Sequence, residues 1–550
     1  MKTVLAAINA KYIHSCLAIY SLRAFCAEYR DSITIREFTV NQDRGYILRE
    51  LYACKPDIIG FSCYIWNIGM VTALVKDLKK LTPSLIIVLG GPEVSYDPAG
   101  CPADYIIQGE GEQAFLELMD YYNLGAVRRA QPDSHLHSPK IFGKTPDINR
   151  LRFPYAGGAG GFANRIIYYE SSRGCPFQCQ YCLSGNTDSH VRALPLERVY
   201  DELRFFLDAR VRQVKFVDRT FNCLKSRALS IWRFLKDNDN GITNFHFEIS
   251  AVLLDDESLR LLADIRKGMF QFEIGVQSTN AAVLREINRH TDLARLTENI
   301  SILRNYGNIH LHLDLIAGLP GEGYSSFIHS FNDVYAMKPD MLQLGFLKVL
   351  KGTGLRSNAA RYGLIYDDYP PYEVLKTNEL SFDEICRLKD IESVLEGFYN
   401  SGLAPRTLSY LTGSGAFEFY ERLAGFWRDK GYYSAPLGKI GMYAALYEYC
   451  QQAAGVDAGL ALELMRFDLF FRENEKSPPE WLVPRPSPEM RALYSIYKKS
   501  MDAGAFTIQS FEYDIAGRFG EMPEKRRNFI LFRYKGGKGG GAFYEITGRD

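Results

Sequence analysis

Short apolar segments alternate with amphipathic segments over the first part of the chain, and this alternation restricts the fold more than any other feature. From residue 2 to about residue 120 the apolar segments read TVLAAIN, SITIREFT, DIIGFSC, LIIVLGG and ADYIIQG. A segment of helical periodicity separates each one from the next. Strands that alternate with helices predict a parallel, doubly wound sheet, and such sheets bind ligands at the carboxyl ends of their strands.

The same alternation resumes near Ile166 and predicts a second parallel sheet. Its apolar segments read RIIYYESS, QVKFVDRTF, NFHFEISA, MFQFEIGVQS, IHLHLDLIAGLP and DMLQLGFLKVL. A complete eight-stranded barrel takes about 250 residues. Six strands in about 190 residues therefore predict a partial, open (β/α)6 barrel.

These patterns divide the chain into four predicted ranges and place it in the α/β class. We assign residues 1–127 to the doubly wound domain, 128–165 to a linker, 166–365 to the partial barrel and 366–550 to a helix-rich C-terminal domain. The last range ends in NFILFRYKGGKGGGAFYEIT, which predicts a hairpin. Its segment EFYERLAGFWRDKGYY spaces aromatic residues as a helix would, which favours a packed core over a substrate pocket.

The charge balance excludes some partners. The chain has 65 Lys plus Arg and 65 Asp plus Glu, so we expect neither a nucleic-acid partner nor an anionic membrane surface. The N-terminus lacks the apolar region of a signal peptide, and no stretch reaches the about 18 apolar residues of a membrane span. We therefore expect no membrane insertion and a cytoplasmic location.

Three cysteines, Cys175, Cys179 and Cys182, lie close together in RGCPFQCQYCLSG, just after the first predicted barrel strand. In the cytoplasm such a cluster is typical of a metal or catalytic site rather than of disulfides. A structural zinc site takes four ligands, for which His190 is the nearby substitute. A four-iron cluster also has four ligand positions, and three thiolates would leave one iron open to a small molecule.

The segment CPFQCQYC resembles the CxxxCxΦC signature of the radical S-adenosylmethionine (SAM) enzymes, with Tyr181 as the aromatic residue before the last cysteine. The resemblance implies that Cys175, Cys179 and Cys182 hold a [4Fe-4S] cluster and that SAM chelates its open iron. It also implies that one electron cleaves SAM to a 5′-deoxyadenosyl radical. We therefore expect an electron donor such as flavodoxin or ferredoxin.

Further segments extend this resemblance over roughly residues 166–360. FVDRTFN, FEIGVQSTN and LIAGLPGEG resemble the second, fourth and fifth strand segments of the family, and VLREINR follows the fourth. From them we expect contacts with cofactor or substrate, or hydrogen bonds to the residues that make such contacts, at the following positions: Asp218, Glu248, Gln277, Ser278 and Gly318. Gln277 and Ser278 are candidates for the ribose or the methionyl carboxylate, and Gly318 lies in the segment that flanks the adenine.

A doubly wound domain ahead of such a barrel resembles the cobalamin-binding subclass of this family. The segments GFSCYIWN, GGPEVSYDP and DYIIQGEGE carry the likeness. The expected corrin and nucleotide-tail positions are Ser62, Gly90, Gly91 and Gly109, where small residues permit close approach. His14 is a candidate lower cobalt ligand, although NAKYIHSCLA lacks the Asp and Gly of the Asp-x-His-x-x-Gly loop. Tyr12, or no protein ligand, is the alternative.

The combination predicts a radical SAM enzyme that uses cobalamin for methylation or C–C bond formation on an unknown substrate. One alternative is a radical SAM cyclase or a methylthiotransferase without a cobalamin methyl donor. In a methylthiotransferase Cys16, Cys63 and Cys101 would bind a second cluster. The other alternative is a non-catalytic iron–sulfur protein.

Overall fold

The structure is a computed structural model. The described residues are 1–96, 103–123, 140–143, 145–158, 162, 164–185, 190–413, 415–483, 485–500, 505–517, 523–534 and 542–546. No helix within these ranges is long and apolar enough to cross a membrane.

Six parallel strands form the first sheet, in the order β2-β1-β3-β4-β5-β6. The strands are β1 (Thr3–Asn9), β2 (Ile33–Thr39), β3 (Ile58–Ser62), β4 (Ile86–Gly90), β5 (Tyr105–Gln108) and β6 (Lys140–Phe142). The helices are α1 (Leu17–Phe25), α2 (Arg44–Ala53), α3 (Ile68–Leu81), α4 (Pro92–Tyr96) and α5 (Glu112–Asn123). The predicted doubly wound sheet is confirmed, and β6 lies in the range that we assigned to the linker.

Alternate residues of β1 explain why this sheet is covered on both faces. Val4, Ala6 and Ile8 are buried in one apolar cluster with residues of α2 and α3. Leu5 and Ala7 are buried in a second cluster with residues of α1 and α5. The strand order reverses between β1 and β3, and open α/β sheets bind ligands at the carboxyl ends of strands at such a point.

The second sheet contains six strands whose spatial order follows the chain: β7, β10, β11, β12, β13 and β14. Their bounds are Ile166–Tyr169, Gln213–Phe216, Asn244–Glu248, Phe270–Gln277, His310–Ala317 and Met341–Phe346. The helices of this part are α6 (Leu196–Asp208), α7 (Lys225–Asp237), α8 (Asp256–Ala263), α9 (Ala281–Glu286), α10 (Leu293–Tyr306) and α11 (Tyr324–Ala336). This arrangement confirms the predicted partial (β/α)6 barrel.

Short elements accompany the barrel. The two-residue strands β8 (Ser172–Arg173) and β9 (Arg192–Ala193) pair beside the cysteine loop. After the barrel come α12 (Gly354–Ser357) and the paired strands β15 (Ile365–Tyr366) and β16 (Val374–Lys376).

Aromatic side chains on the outer face of the barrel strands form its core with the helices. Phe247 of β11 lies 4.6 Å from Phe216 of β10, measured between ring centroids. Trp232 of α7 contacts Phe247 and Phe272 at centroid distances of 6.3 and 5.7 Å. All four rings are buried. Because side chains alternate along a strand, the residues between these rings point into the barrel.

The chain separates into two compact units. The first comprises residues 1–327, 337–339 and 345–381, and the second comprises residues 328–336, 340–344 and 382–550. The helices that follow residue 381 are α13 (Phe382–Leu395), α14 (Pro405–Leu411), α15 (Ala416–Asp429), α16 (Lys439–Gln452), α17 (Ala458–Arg472) and α18 (Pro488–Ser500), with a π-helical turn over Glu396–Asn400.

The second unit also holds an antiparallel sheet of β17 (Ala505–Phe511), β18 (Asn528–Tyr534) and β19 (Ala542–Ile546). The predicted C-terminal hairpin is confirmed as β18 and β19, to which β17 adds a third strand. The aromatic stripe of α15 is a core, as predicted, because Phe417, Phe419, Tyr420 and Trp427 are all buried.

Asp468 of α17 connects two helices of the second unit. Its carboxylate is buried and accepts hydrogen bonds from Arg406 N (3.1 Å), Thr407 N (2.9 Å) and Thr407 Oγ1 (2.8 Å) at the start of α14. These donors have no intrahelical partner, so a carboxylate at this place satisfies them.

We expect Asp468→Ala to lower the free energy of unfolding by about 2–3 kcal/mol, because three donors are left without an acceptor. Urea unfolding followed by circular dichroism measures the loss. The control is Asp429→Ala, which removes an exposed carboxylate from α15. Equal unfolding midpoints for the two variants would contradict the capping role.

Candidate active site

The three cysteines of the predicted cluster lie on the loop that follows β7. Cys175 and Cys179 are buried, Cys182 is half-buried, and all three are free thiols. Gly174 precedes them with a φ of 96°, a conformation that favours glycine. The loop is held from outside because Gln180 N donates to Ile287 O at 3.0 Å.

The buried guanidinium of Arg289 lies against this loop. Its Nη1 is 3.8 Å from Cys179 Sγ and donates to Tyr181 Oη at 3.0 Å, while Nη2 donates to Gly275 O. Burial raises the pKa of Cys179, and Arg289 opposes that rise. The cation therefore offsets part of the cost that burial imposes on a thiolate at this position. Arg289 is the last residue of the segment VLREINR, and sequence reasoning gave it no role although a basic residue just after α9 was an available signal.

Three cysteine thiols are ligands of the kind that an iron–sulfur cluster takes. Their sulfur atoms are not grouped as they would be around a bound metal ion. Among the described residues, no three His, Cys, Asp or Glu side chains are grouped to hold a metal ion. His190, the zinc alternative, is exposed. Three thiols on one loop, with a cation beside Cys179, still match the thiolate ligands of such clusters.

Asp218 holds the start of the cysteine loop. It is 2% exposed and accepts hydrogen bonds from Ser171 N at 2.9 Å, Ser171 Oγ at 2.7 Å and Ser172 Oγ at 2.5 Å. Burial raises the pKa of Asp218, and the two serines oppose the rise. These bonds give Asp218 a positioning role. Direct contact with a cofactor stays a prediction.

Gln277 and Ser278 lie together where β12 ends. Gln277 adopts a φ of 72° at a register shift between β12 and β13. Its Oε1 is buried and accepts no hydrogen bond from the described residues. An acceptor of this kind fits a hydroxyl donor such as the ribose of SAM. Ser278 is fully buried and donates to Glu322 Oε1 at 2.6 Å.

Gly318 lies just after β13, where two constraints exclude a side chain. Its φ is 88°, and a Cβ there would come within 2.6 Å of Val374 Cγ1 in β16. The strand end can therefore lie directly against the β15–β16 segment. Its predicted place beside the adenine stays a prediction.

Glu248 ends β11 on the inner face of the barrel. Its nearest cation is Lys215, whose Nζ is 3.9 Å from Glu248 Oε1 and 2.9 Å from Glu273 Oε2. Burial and the neighbouring Glu273 raise the pKa of Glu248 to about 7, against the opposing charge of Lys215. This carboxyl group therefore titrates near neutral pH.

The predicted corrin positions lie along the carboxyl edge of the first sheet. Gly91 has a φ of 115°, and a Cβ there would lie 2.6 Å from Cys63 O. Gly109 has a φ of 75° with open space where a Cβ would be, and the nearest atom to a Cβ at Gly90 would be 3.9 Å away. Ser62 is buried at the end of β3. The open space at Gly109 fits a closely approaching ligand.

His14 reaches from the first sheet to the barrel. Its Nδ1 is 2.8 Å from Tyr168 Oη of β7, and its backbone pairs with Ile166. Burial, followed by the charges of Lys11 and Lys215, lowers the pKa of His14, so the ring is neutral at pH 7. With Nδ1 engaged, Nε2 is the nitrogen that a cobalt ion would use. The role as ligand stays a prediction, as does that of Tyr12, which is 76% exposed.

Two cysteines of the alternative second cluster are buried in the first sheet. Cys16 Sγ donates to Ser62 Oγ at 3.4 Å, and Cys63 Sγ lies 3.8 Å from Phe61 O. Burial raises the pKa of Cys16, which favours the neutral thiol over a thiolate ligand. Cys101 lies outside the described residues.

Arg173 links the cysteine loop to the first sheet. Its guanidinium lies 2.6 Å from Glu110, 2.5 Å from Glu112 and 2.8 Å from Glu170. Arg192 makes a further contact with Glu110. Glu110 and Glu112, the two glutamates of QGEGE, therefore contact Arg173, which lies two positions before Cys175.

Three family models match the chain. A B12 binding domain matches residues 3–119, the Radical SAM superfamily matches residues 169–334, and a protein of unknown function (DUF4080) matches residues 360–519. At the level of these domain families, the expected [4Fe-4S] cluster, SAM and cobalamin are confirmed as cofactors.

Relatives with assigned names include two methyltransferases. The chain is 27% identical over 431 residues to 2-(S-pantetheinyl)-carbapenam-3-carboxylate methyltransferase of Streptantibioticus cattleyicolor, covering 67% of this chain and 61% of that protein. It is 28% identical over 305 residues to the cobalamin-dependent radical SAM methyltransferase TokK of Streptomyces tokunonensis, covering 50% of this chain and 44% of TokK. The chain therefore spans less than two thirds of the length of either relative.

Solved structures share the fold. The cobalamin-dependent S-adenosylmethionine radical enzyme OxsB with aqua-cobalamin bound matches with a TM-score of 0.56 at 14% identity, over 85% of this chain and 80% of that one. The radical S-adenosylmethionine methyltransferase TsrM from Kitasatospora setae, with cobalamin and a [4Fe-4S] cluster bound, matches with a TM-score of 0.52 at 15% identity, over 68% and 82%. At these identities the likeness concerns the fold.

We expect Arg173→Gln to lower the thermal unfolding midpoint strongly, because it removes the cation that Glu110, Glu112 and Glu170 share and leaves only Arg192 beside Glu110. Removing one partner of a buried ion pair costs about 3–5 kcal/mol. Differential scanning calorimetry measures the shift, with Arg204→Gln on the exposed face of α6 as the control. A midpoint equal to that of the control would show that the link contributes nothing.

Glu248 should make stability depend on pH. Its pKa is raised on folding, so the folded state binds the proton more tightly and stability falls as pH rises from about 4.5 through 7. Relative to wild type, Glu248→Gln should gain on the order of 2 kcal/mol between pH 5 and 8. Urea unfolding at both pH values tests this, with Glu298→Gln on the exposed face of α10 as the control. A pH-independent difference would refute it.

Proposed function

We propose that this chain is a cobalamin-dependent radical SAM methyltransferase. The premise is that the chain belongs to the radical SAM superfamily and has a B12 binding domain ahead of its barrel. The supporting observation is the position of Cys175, Cys179 and Cys182 on the loop at the carboxyl end of the first barrel strand. In barrel enzymes this edge carries the catalytic groups.

The three cysteines would hold the cluster in this proposal. When bound there with SAM, a [4Fe-4S] cluster supplies a radical that removes hydrogen from the substrate, and cobalamin supplies the methyl group. Arg289 favours the thiolate of Cys179, and Asp218 holds the backbone at the start of the loop. Gln277 and Ser278 would bind SAM, with Gly318 beside its adenine.

The first sheet would hold the corrin and its tail at Ser62, Gly90, Gly91 and Gly109. The open space at Gly109 supports this assignment. His14 would hold the cobalt through Nε2, because Nδ1 already contacts Tyr168.

Methyl transfer is favoured over the alternative reactions because relatives at 27% and 28% identity are named methyltransferases. Cyclisation, methylthiolation and a non-catalytic role are the competing hypotheses, and analysis of the reaction products separates them from methyl transfer. We further propose a cytoplasmic location, a flavodoxin-like or ferredoxin-like electron donor, and the domain bounds 1–127, 128–165, 166–365 and 366–550.

Anaerobic reconstitution tests the proposal. We expect visible absorption from both cluster and corrin, and, with dithionite and SAM, formation of 5′-deoxyadenosine. Cys179→Ala should lower iron content and reduce 5′-deoxyadenosine formation by at least about a hundredfold, since catalysis requires the intact site. Cys54→Ala, a half-buried cysteine at the end of α2, is the control.

The products separate the hypotheses. S-adenosylhomocysteine formed together with 5′-deoxyadenosine supports methyl transfer. 5′-Deoxyadenosine alone supports cyclisation or another radical reaction. Zinc in place of iron, or no cleavage of SAM by a loaded cluster, would overturn the proposal.

A further inference from the structure

Seven polar side chains lie on the inner face of the barrel strands. The proposed function involves only one of them, Tyr168, through its contact with His14. They lie on five neighbouring strands and are hereafter called the lumen cluster: Tyr168, Lys215, His246, Glu248, Glu273, His312 and Asp314. Strand register brings them into adjacent rows, because Lys215 pairs with Tyr168 and His246, Glu248 with Glu273, and Glu273 with His312.

A charged interior of this kind is unusual for a barrel. Bulky branched apolar residues fill the lumen of complete (β/α)8 barrels. Charged groups are costly to bury unless they are paired and hydrogen-bonded. The outward-facing residues of the same strands are apolar and buried. The polar and charged residues are therefore confined to the inner face of these strands.

Internal pairing accounts for part of the lumen cluster. Glu273 Oε2 lies 2.9 Å from Lys215 Nζ and 2.9 Å from His246 Nε2. Despite burial, these two partners lower the pKa of Glu273, which is therefore ionised at pH 7. Burial lowers the pKa of His246, so Lys215 is the cation that balances Glu273.

The remaining groups have unused hydrogen-bonding capacity. His246 and His312 are each 7% exposed, and their buried Nε2 atoms make no well-directed hydrogen bond to the described residues. Asp314 Oδ1 lies 3.1 Å from His312 Nε2, also without hydrogen-bond geometry. Among the described residues, the side chain of Glu248 makes no hydrogen bond, and its one ion-pair contact is with Lys215 Nζ at 3.9 Å.

The carboxylates of the lumen cluster are accessible, because the side chains of Glu248, Glu273 and Asp314 are 31%, 24% and 17% exposed. The space at Gly275, the cross-strand neighbour of Asp314, is occupied by the side-chain amide of Gln277. Gln277, which we assign to SAM, therefore borders the lumen cluster at Asp314, and Glu273 lies four residues before Gln277 on β12.

We propose that the lumen cluster binds a cationic nitrogen group of the substrate, an ammonium or guanidinium, with Glu248 as its counter-ion and Asp314 as a second acceptor. The proposal rests on the proposed function and adds a substrate class to it. After Lys215 is paired with Glu273, the lumen carries two further carboxylates with unused acceptor capacity. An ammonium group brings three donors and no acceptor, which suits such a surface.

Protonation of Glu248 predicts how binding depends on pH. The charged groups that face it are Lys215 and Arg219 from the β10 side, Glu273 from β12 and Asp314 from β13. A cation binds the ionised carboxylate, so affinity should rise between pH 6 and pH 8 and a proton should be released on binding.

Isothermal titration of the reconstituted protein with butylammonium, butyrate and butanol tests the proposal. We expect saturable binding of butylammonium only, with affinity about tenfold higher at pH 8 than at pH 6. Glu248→Gln and Asp314→Asn should each weaken binding by at least about tenfold, whereas Glu298→Gln should not. Iron content, corrin absorption and the unfolding midpoint show that each variant is folded.

Three results would overturn the proposal: no saturable binding of butylammonium, equal binding of butanol or butyrate, or undiminished binding by Glu248→Gln. Formation of 5′-deoxyadenosine by the wild type is measured in the same preparation. Butylammonium binding without SAM cleavage would refute the proposed function and leave the lumen site standing. SAM cleavage without butylammonium binding would do the reverse.

Discussion

Parallel strand pairing is the constraint on which the candidate site depends. In a parallel sheet every strand ends at the same edge, so loops that are distant in sequence become neighbours there. Gln277 pairs with Leu315, three residues before Gly318, near the end of the barrel strands, while Ser62 and Gly90 lie side by side on the first sheet. Strand pairing alone therefore brings the predicted ligand positions of each sheet to the same edge.

Buried charge then ties the first sheet to the barrel within the first unit. Arg173 binds glutamates of the fifth strand loop, and Arg165 lies 2.7 Å from Glu37 of β2. Glu93, which follows β4, lies 3.2 Å from Lys351 and accepts a hydrogen bond from Tyr372. Partly and fully buried ion pairs are geometrically demanding. They therefore specify one docking arrangement, in which the cysteine loop faces the glycine-rich loops.

The barrel divides its chemistry between its two faces. The outer face carries the aromatic core, which stabilises the fold through burial of apolar surface. The inner face carries charged residues whose burial works against stability, and the raised pKa of Glu248 reflects that cost. Positions that keep a cost of this kind are candidates for function.

Much of the fold and the core of the site followed from local patterns. Strand and helix alternation predicted both sheets, and cysteine spacing predicted the loop, because periodicity and spacing act between residues close in sequence. The strand β6 was missed because it is three residues long and lies in a segment without periodicity. The contact between Arg289 and Cys179 joins residues 110 positions apart, and that between His14 and Tyr168 joins residues 154 apart. The sequence alone thus determined which elements form and where thiols and glycines occur. Only the tertiary structure decided which charges meet, because those meetings depend on strand register and on the docking of two sheets.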